Sequence, residues 1–453
     1  MSDPIRNASP DNNSAETEVD PALWDRRVFM KRLMIGSGAA AFAAMGAATV
    51  QADQARAADP SPSPSDSAPP STTPTGPPPG GPGGGGGPGA QVVTDDFFGL
   101  TTDGYKIDGL YAVHSTGVST DKIVAAATAF LASLDDTQKA ATQFGVHSLE
   151  WRQWSNIDNY ARNGVELGQL SDAQKQAGLA MVRSALSARG ITLTDTIRRI
   201  NGVAGRLIGS TVTFNEEYYF FTIMGTPSAT QPWGFQFEGH HLALNYFVLG
   251  DQVVMTPSFL GSEPTSLTDD QTGAPLLIFD DYFAAALATI NALSPANQAL
   301  AILSPNKTGG NNVAEAFRDN VAVPYAGAAA GGFSHTEKQA LLTLVQLFLT
   351  INDTGQAAIK LAEITKHLDD THFAWVGATT AEAVFWFRIH SPVIYIEFEC
   401  ATPGPLGRIY GGSGPGGAPT RQHVHCVIRT PNGNDYGKEL LRMHYATSPH
   451  HQH

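Results

Sequence analysis

Two segments of the chain carry histidine and carboxylate side chains at spacings that suit metal or acid–base chemistry. In residues 233–245 the alternation of apolar residues changes parity at Gly239-His240. Because strand residues two apart share a face, the change requires a two-residue turn or a one-residue bulge. Either arrangement gathers four polar residues on the face opposite the phenylalanines and leucines: Gln236, Glu238, His241 and Asn245.

The second segment is residues 423–429, in which His423 and His425 alternate with apolar residues. If this strand pairs with residues 394–400, Glu397 and Glu399 share the polar face with the two histidines. Two imidazoles and a carboxylate form a common catalytic metal shell, for zinc or for non-haem iron. The sequence therefore predicts a divalent metal, most simply zinc, with the ligand candidates His241, His423, His425, Glu397 and Glu399. The alternative is that the histidines are only solvated or hydrogen-bonded.

A metal-dependent hydrolase is the function that this set of side chains favours. Glu238 is the predicted general base, and Arg388 or Arg429 the predicted stabiliser of a developing oxyanion. One alternative is a non-enzymatic carrier of a metal or a small ligand outside the cytoplasm. Another is a hydrogen-bonded network that only stabilises the fold. The sequence leaves open the ligand, whether a small molecule or a peptide, and the oligomeric state.

The elements that position these residues follow one order twice. Residues 385–399 repeat the parity change of the first hairpin, here at Ser391-Pro392, and helical segments precede the strands in both parts. This pattern predicts an α+β fold in which two pseudo-repeated halves, residues 92–270 and 271–453, form one large domain. The site would lie between the halves. Chance similarity between alanine-rich helices is the alternative to duplication.

Helix boundaries are predicted from capping residues. Ser171 begins a helix that we expect to reach Ala188 and to stop at Gly190, with a second short helix around residues 195–200. Ser334 and Glu337 form a capping box before a further helix.

Cys400 and Cys426 are the only cysteines, which excludes a disulfide-rich scaffold and a zinc site of four cysteines. A disulfide that closes the Gly/Pro-rich loop between them is favoured. Buried free thiols are the alternative. A thiolate ligand at Cys426 is disfavoured by its strand parity.

The first 91 residues are predicted to lie outside the folded part. Residues 1–57 contain Arg26-Arg27, an alanine-rich stretch and a small-residue cleavage site, which is the pattern of a twin-arginine export signal. Residues 58–91 are rich in Pro, Gly and Ser and predict a disordered linker. The sequence thus predicts an exported protein, periplasmic or extracellular, without a permanent membrane span. The excess of 42 acidic over 28 basic residues argues against nucleic-acid binding.

The folded part resembles the bacterial and fungal family catalogued as domain of unknown function 3500. The resemblance rests on residues 233–245 with their Glu-Gly-His-His core, on Ser258 to Pro264, and on His423-Val-His followed by Arg429 and residues 434–437. It covers most of residues 92–445. The family implies no activity, substrate or cofactor, but it implies that these motifs belong to one fold, which favours a shared site.

Overall fold

The computed structural model describes residues 93–411 and 415–447, which form an α+β fold as predicted. The predicted export signal, the linker and the terminal His450, His451 and His453 lie outside the described residues. Within the described ranges, no helix has both the length and the apolar composition needed to cross a membrane.

The helices and strands are numbered here in chain order. The helices are α1 (Asp121–Ser133), α2 (Asp136–Thr142), α3 (Asp172–Ser184), α4 (Ala188–Ile208), α5 (Asp280–Ala292), α6 (Pro295–Ala301), α7 (His335–Leu349), α8 (Thr354–Lys366) and α9 (Lys438–Thr447). Short 3₁₀ helices span Leu149–Arg152, Leu167–Gln169, Ala330–Gly332, Pro405–Tyr410 and Asp435–Gly437. The strands are β1 (Gln143–Phe144), β2 (Val165–Glu166), β3 (Tyr219–Met224), β4 (Trp233–Gly239), β5 (Leu242–Leu249), β6 (Gln252–Val254), β7 (Ser258–Ser262), β8 (Ser266–Thr268), β9 (Pro275–Leu277), β10 (Ile302–Ser304), β11 (Ala328–Ala329), β12 (His372–Gly377), β13 (Phe385–His390), β14 (Tyr395–Cys400) and β15 (Val424–Arg429).

One mixed sheet runs through the described part of the chain in the order β1-β3-β4-β5-β7-β15-β14-β13-β12-β10. Three short strands pair outside this order: β2 with β3, β6 with β5 and β11 with β12. β8 and β9 form a separate two-stranded sheet. The antiparallel pair β7–β15 joins strands from the two predicted halves at the centre of the sheet. Residues far apart in sequence therefore meet on adjacent central strands.

Helices cover the apolar face of the sheet. Phe130 of α1 contacts Phe221 of β3 at a ring-centroid distance of 5.0 Å, and Phe348 of α7 lies 6.0 Å from Phe387 of β13. The aromatic residues that the sequence assigns to this face lie in one continuous buried core with the helical side chains. Burial of this apolar surface is the main force that holds the sheet against the helices.

The opposite, polar face is covered by irregular segments. Glu397 accepts hydrogen bonds from the backbone N–H groups of Val313 and Ala314, and Gln236 donates to the carbonyl of Trp151. The predicted pairing of the two site strands is confirmed, because β14 and β15 are antiparallel with Glu399 opposite His425. Buried backbone groups of a loop need hydrogen-bond partners, and the polar side chains of this face supply them.

The predicted end of the helix at Gly190 is wrong. α3 ends at Ser184, and a second helix begins at Ala188 and continues through Gly190 to Ile208, far longer than the short helix expected there. A Cβ atom on residue 190 would lie 1.9 Å from the carbonyl oxygen of Ile351. Gly190 thus permits close packing against a neighbouring segment instead of ending the helix.

The order of elements on the two sides of the sheet is similar. β1 runs parallel to β3, and β10 runs parallel to β12. Capping-box serines Ser171 and Ser334 begin α3 and α7 after short 3₁₀ helices. Internal duplication of the chain stays a prediction, since none of these pairings establishes a common origin.

The two thiols are free and buried, so the disulfide that the sequence favoured is absent. The register explains this result. Cys400 lies opposite Val424 and Cys426 lies opposite Phe398, so the cysteines are diagonal neighbours and not a directly facing pair. Burial raises the pKa of both thiols, which keeps them protonated.

Candidate metal centre

Three histidines, His241, His423 and His425, form what we call the histidine cluster. His241 lies in the two-residue turn between β4 and β5, His423 directly precedes β15, and His425 is the second residue of β15. The backbone of His241 has φ of 61°, a left-handed conformation that is uncommon for a residue with a side chain. Its N–H bonds the carbonyl of Asn156, and its carbonyl accepts from Gly261 at 2.7 Å.

Gly261 makes room for the His241 ring. A Cβ atom on residue 261 would lie 2.9 Å from Cδ2 of His241 and 2.8 Å from the carbonyl oxygen of Val424. The glycine therefore lets the turn between β4 and β5 approach β15 closely enough for the imidazoles to meet.

The ring nitrogens of the histidine cluster have separations that suit a metal ion. Nε2 of His241 lies 3.2 Å from Nε2 of His423, and one ligand atom from each histidine lies within 4.8 Å of the others. A tetrahedral zinc ion with Zn–N bonds of ~2.0–2.1 Å separates its nitrogen ligands by roughly 3.3–3.4 Å. The Nε2 atoms of His241 and His423 are thus separated by about the distance expected of two zinc ligands.

Hydrogen bonds orient the rings of His423 and His425. Nδ1 of His423 lies 2.6 Å from the carbonyl oxygen of Thr402, and Nδ1 of His425 lies 3.0 Å from a carboxylate oxygen of Glu315. A carbonyl or carboxylate oxygen can only accept, so each Nδ1 carries the proton and each Nε2 keeps its lone pair. Partners of this kind are typical of histidines that bind metals.

Burial favours the neutral form of two of the three imidazoles. It lowers the pKa of His423 to about 3, and it lowers the pKa of His241 well below its ordinary value. Burial also lowers the pKa of His425, but the nearby carboxylates, Glu315 before Glu399 and Glu263, more than offset this, and the pKa lies above the ordinary value. Neutral imidazole is the form that binds a metal ion.

His240 supports His241 from behind and does not join the cluster. The two rings stack with their centroids 3.8 Å apart, and Nδ1 of His240 lies 2.7 Å from the side-chain oxygen of Asn201 on α4. His240 therefore packs against the face of the His241 ring, and its Nδ1 is bound to Asn201 outside the cluster. The choice of His241 over His240 from strand parity agrees with the cluster.

The segment from residue 116 to residue 438 matches the model of a family described as Protein of unknown function (DUF3500). The match includes all three histidines and spans more than half of the chain. The chain belongs to the DUF3500 family. No curated protein and no solved structure matches it. The DUF3500 segment thus contains the whole histidine cluster, and the chemistry must be argued from the site itself.

Four of the residues that the sequence predicts for the site form a separate group that we call the charged row: Arg388, Glu397, Glu399 and Arg429. Glu397 pairs with Arg388 at 3.1 Å, and Glu399 pairs with Lys307 at 2.7 Å. Both carboxylates also accept backbone N–H groups of residues 311–314. Neither belongs to the histidine cluster, so their predicted role as ligands receives no support from the geometry.

Arg429 is completely buried and bound on every side. It donates to Asp435 and to the carbonyl oxygens of Ala314 and Glu315, at 2.9, 2.6 and 2.8 Å. Its guanidinium group thus holds the backbone of the residue that orients His425. Because these groups fully engage Arg429, and Glu397 engages Arg388, the geometry favours positioning roles for both arginines over the predicted oxyanion role.

Glu238 lies on β4, which β5 and β7 separate from β15. Strand spacings of ~4.8 Å place the backbones of β4 and β15 about 14 Å apart. The Glu238 carboxylate accepts from the N–H of Ser155 at 2.8 Å and pairs with Arg162 at 3.3 Å. Burial raises the pKa of Glu238 to about 7, which suits a proton acceptor, but its contacts do not include the histidine cluster.

Sequence patterns missed two carboxylates beside the cluster. Glu315 comes from an irregular segment, and Glu263 follows β7 in Ser-Glu-Pro. The family motif around Ser258 to Pro264 was the one signal that pointed to Glu263. The side chains of Glu315 and His425 are 26% and 17% exposed, so the cluster approaches solvent on this side. Glu263 is buried, and its closest oxygen lies 3.8 Å from Nδ1 of His423.

Proposed function

We propose that this protein is a metal-dependent hydrolase whose metal ion is held by the histidine cluster. The observation that carries the proposal is the convergence of three imidazoles, two of which have Nδ1 fixed by an acceptor so that Nε2 is free to bind. Three histidine ligands with an open fourth position are a pattern of catalytic zinc sites, whereas structural zinc sites have four protein ligands. Zinc is the most consistent ion for an all-nitrogen set of this size.

A divalent ion in this position would supply a nucleophile at neutral pH, because it lowers the pKa of a bound water towards about 7. The residues of the chain supply orientation, and the partly exposed side chains of Glu315 and His425 place the cluster near solvent. Glu315 aligns His425, Thr402 aligns His423, and the stacked His240 restrains His241. Glu238 stays the proposed general base because its pKa is raised, but its contacts are to Ser155 and Arg162 and not to the cluster, so the Glu238→Gln variant must decide this role.

Metal analysis of the purified full chain tests the metal site. Because His450, His451 and His453 could bind metal adventitiously, all three are replaced by glutamine first. Inductively coupled plasma mass spectrometry should then find close to one equivalent of zinc or a similar ion per chain. His423→Ala should lose it, and the matched variant His372→Ala, on another part of the sheet, should keep it. Only trace metal, unchanged by His423→Ala, would contradict the proposal.

Hydrolysis is tested separately with chromogenic esters, amides and phosphoesters. We expect the apoprotein to be inactive, zinc to restore turnover, and Glu238→Gln to retain metal while losing rate. If the protein binds metal tightly and hydrolyses none of the three substrate classes, the result favours the alternative hypothesis of an extracytoplasmic metal or ligand carrier. The limited exposure of the cluster is the observation that favours this alternative.

We also propose that the protein is exported by the twin-arginine route. The supporting observation is the sequence Asp25-Arg-Arg-Val-Phe-Met-Lys31 before an alanine-rich stretch. This route exports folded proteins. Replacement of Arg26 and Arg27 by lysine should retain the protein in the cytoplasm, as cell fractionation would show. Unchanged export of that variant would exclude the twin-arginine pathway.

A further inference from the structure

Glu263 is a buried carboxylate that holds a segment of the chain against the histidine cluster. Its side chain is 1% exposed. One oxygen accepts from the N–H of Gly404 and from the hydroxyl of Tyr410, both at 2.7 Å. The other accepts from the N–H of Leu406 at 3.3 Å. These three donors belong to residues 404–410, so one side chain fixes most of this segment.

The same segment reaches His423 through the carbonyl group of Thr402. That carbonyl accepts the Nδ1 proton of His423 at 2.6 Å. Thr402 lies two residues before the first backbone group that Glu263 holds. The nearest carboxylate oxygen of Glu263 is 3.8 Å from Nδ1 of His423, beyond hydrogen-bond length. Glu263 thus leaves the imidazole proton to Thr402.

The packing leaves little freedom for this arrangement. A Cβ atom on residue 404 would lie 2.6 Å from a Glu263 oxygen and 3.4 Å from Cε1 of His423. Gly404 therefore lets the backbone, the carboxylate and the imidazole lie in contact. A negative charge beside Nδ1 of His423 also favours the tautomer that has its proton there and its lone pair on Nε2.

We infer that Glu263 is a positioning residue for the metal centre, acting on His423 through Thr402. It fixes residues 404–410, so that the Thr402 carbonyl selects the tautomer and the orientation in which Nε2 of His423 faces His241. This inference rests on the proposed metal site and adds a role that no sequence pattern assigned. Loss of such a partner typically lowers metal affinity by ~10–100-fold.

The test compares Glu263→Gln with a matched variant, Glu337→Gln. Glu337 is also a buried carboxylate that accepts backbone N–H groups, here those of Ser294 and Ser334, but it belongs to the cap of α7. Zinc affinity is measured by competition with a chromogenic chelator. The visible absorption of Co²⁺-substituted protein reports the coordination geometry. Glu263→Gln should weaken zinc binding about 10–100-fold and change the Co²⁺ spectrum. Glu337→Gln should change neither.

A second variant keeps the inference testable if Glu263→Gln does not fold. Gly404→Ala retains the carboxylate but displaces it, and Gly332→Ala is its control because a Cβ atom there would have no neighbour within 4 Å. Gly404→Ala should also weaken zinc binding and alter the Co²⁺ spectrum.

The outcomes separate the two proposals. If the unmodified protein binds neither zinc nor Co²⁺, the metal site itself is refuted, and the role of Glu263 with it. If the unmodified protein binds both ions and the folded Glu263→Gln or Gly404→Ala variant has the same affinity and spectrum, the metal site stands and only the positioning role is refuted.

Discussion

The polar face of the sheet contains two groups of buried polar side chains that do different things. In the charged row every charge faces an opposite charge, and the carboxylates also bind backbone N–H groups of residues 311–314. In the histidine cluster the outer nitrogens of His423 and His425 are satisfied, but the inner nitrogens converge on one another. Imidazole nitrogens directed at a common centre indicate a binding site, whereas paired charges indicate an anchored loop.

The two groups are connected. Arg429 of the charged row holds the carbonyl of Glu315, and the Glu315 carboxylate orients His425. The charged row therefore acts on the histidine cluster through an irregular segment. Four variants separate stabilising roles from binding roles, and they are given from the largest expected effect to the smallest.

Glu397→Ala should give the largest effect, on stability and not on metal binding. It leaves the Arg388 guanidinium and two backbone N–H groups buried without their partner, which costs about 3–5 kcal/mol of unfolding free energy. Denaturant unfolding of the metal-free protein measures the loss. Glu382→Ala is the matched control, because the Arg421–Glu382 pair is on the surface with Glu382 92% exposed, and should cost less than 1 kcal/mol. Weakened zinc binding by Glu397→Ala without lost stability would make Glu397 a ligand after all.

Glu238 should give the protein a stability that depends on pH. Burial raises the pKa of its carboxyl from 4.5 to about 7, so between these values the unfolded chain loses a proton that the folded chain keeps. The free energy of unfolding therefore falls by on the order of 3 kcal/mol as pH rises from about 4.5 to 7. Outside this pH range the contribution of Glu238 does not change. Unfolding of the metal-free protein across this range, compared with Glu238→Gln, isolates the effect. Parallel curves for the two proteins would show that Glu238 titrates normally.

Gly261→Ala should weaken metal binding while leaving the charged row intact. The added methyl group would lie 2.9 Å from Cδ2 of His241, so the ring must move away from its partners. We expect zinc affinity to fall ~10–100-fold, which corresponds to about 1.4–2.8 kcal/mol, with Gly332→Ala as the unaffected control. Isothermal titration calorimetry measures the affinity. Equal affinities in the two variants would mean that the cluster does not depend on this close approach.

Glu315→Gln should give the smallest effect, a roughly tenfold loss of zinc affinity. The glutamine oxygen still accepts the Nδ1 proton of His425, but the negative charge that makes the imidazole a stronger donor to the metal is lost. Chelator competition at constant ionic strength measures the zinc affinity of each variant. Glu315→Ala removes the hydrogen-bond acceptor as well and should bind zinc more weakly still. If both variants bind zinc as the parent does, His425 does not rely on this partner.

Strand parity in the sequence predicted much of the site. Alternation fixes which side chains share a face. The parity change at Gly239-His240 predicted a two-residue turn or a bulge, and the structure has the turn, which presents His241. The same argument put His425 on the polar side of β15, with His423 directly before it, and the cysteines of β14 and β15 on the apolar side. These inferences succeed because a strand has a period of two residues whatever surrounds it.

Parity did not reveal which polar residues meet. It placed Glu397, Glu399, Arg388 and Arg429 on the same face. It could not show that Glu397, Glu399 and Arg429 bind the irregular segment around residues 307–315, or that Arg388 pairs with Glu397. It gave no signal for Glu315, because that residue lies in neither a helix nor a strand. The capping argument mistook Gly190 for the end of a helix, because the carbonyl that requires a glycine there belongs to Ile351.

The sequence by itself determined the α+β class and which side chains share a face of the central strands. It also named the three histidines among the candidate metal ligands. Only the tertiary structure decided that β7 and β15 lie side by side, that three ring nitrogens converge, and that Thr402, Glu263 and Glu315 fix their orientation. The physical reason is the range of the interactions. Periodicity and capping act between neighbours in the chain, whereas ligand convergence depends on which distant backbones pack together.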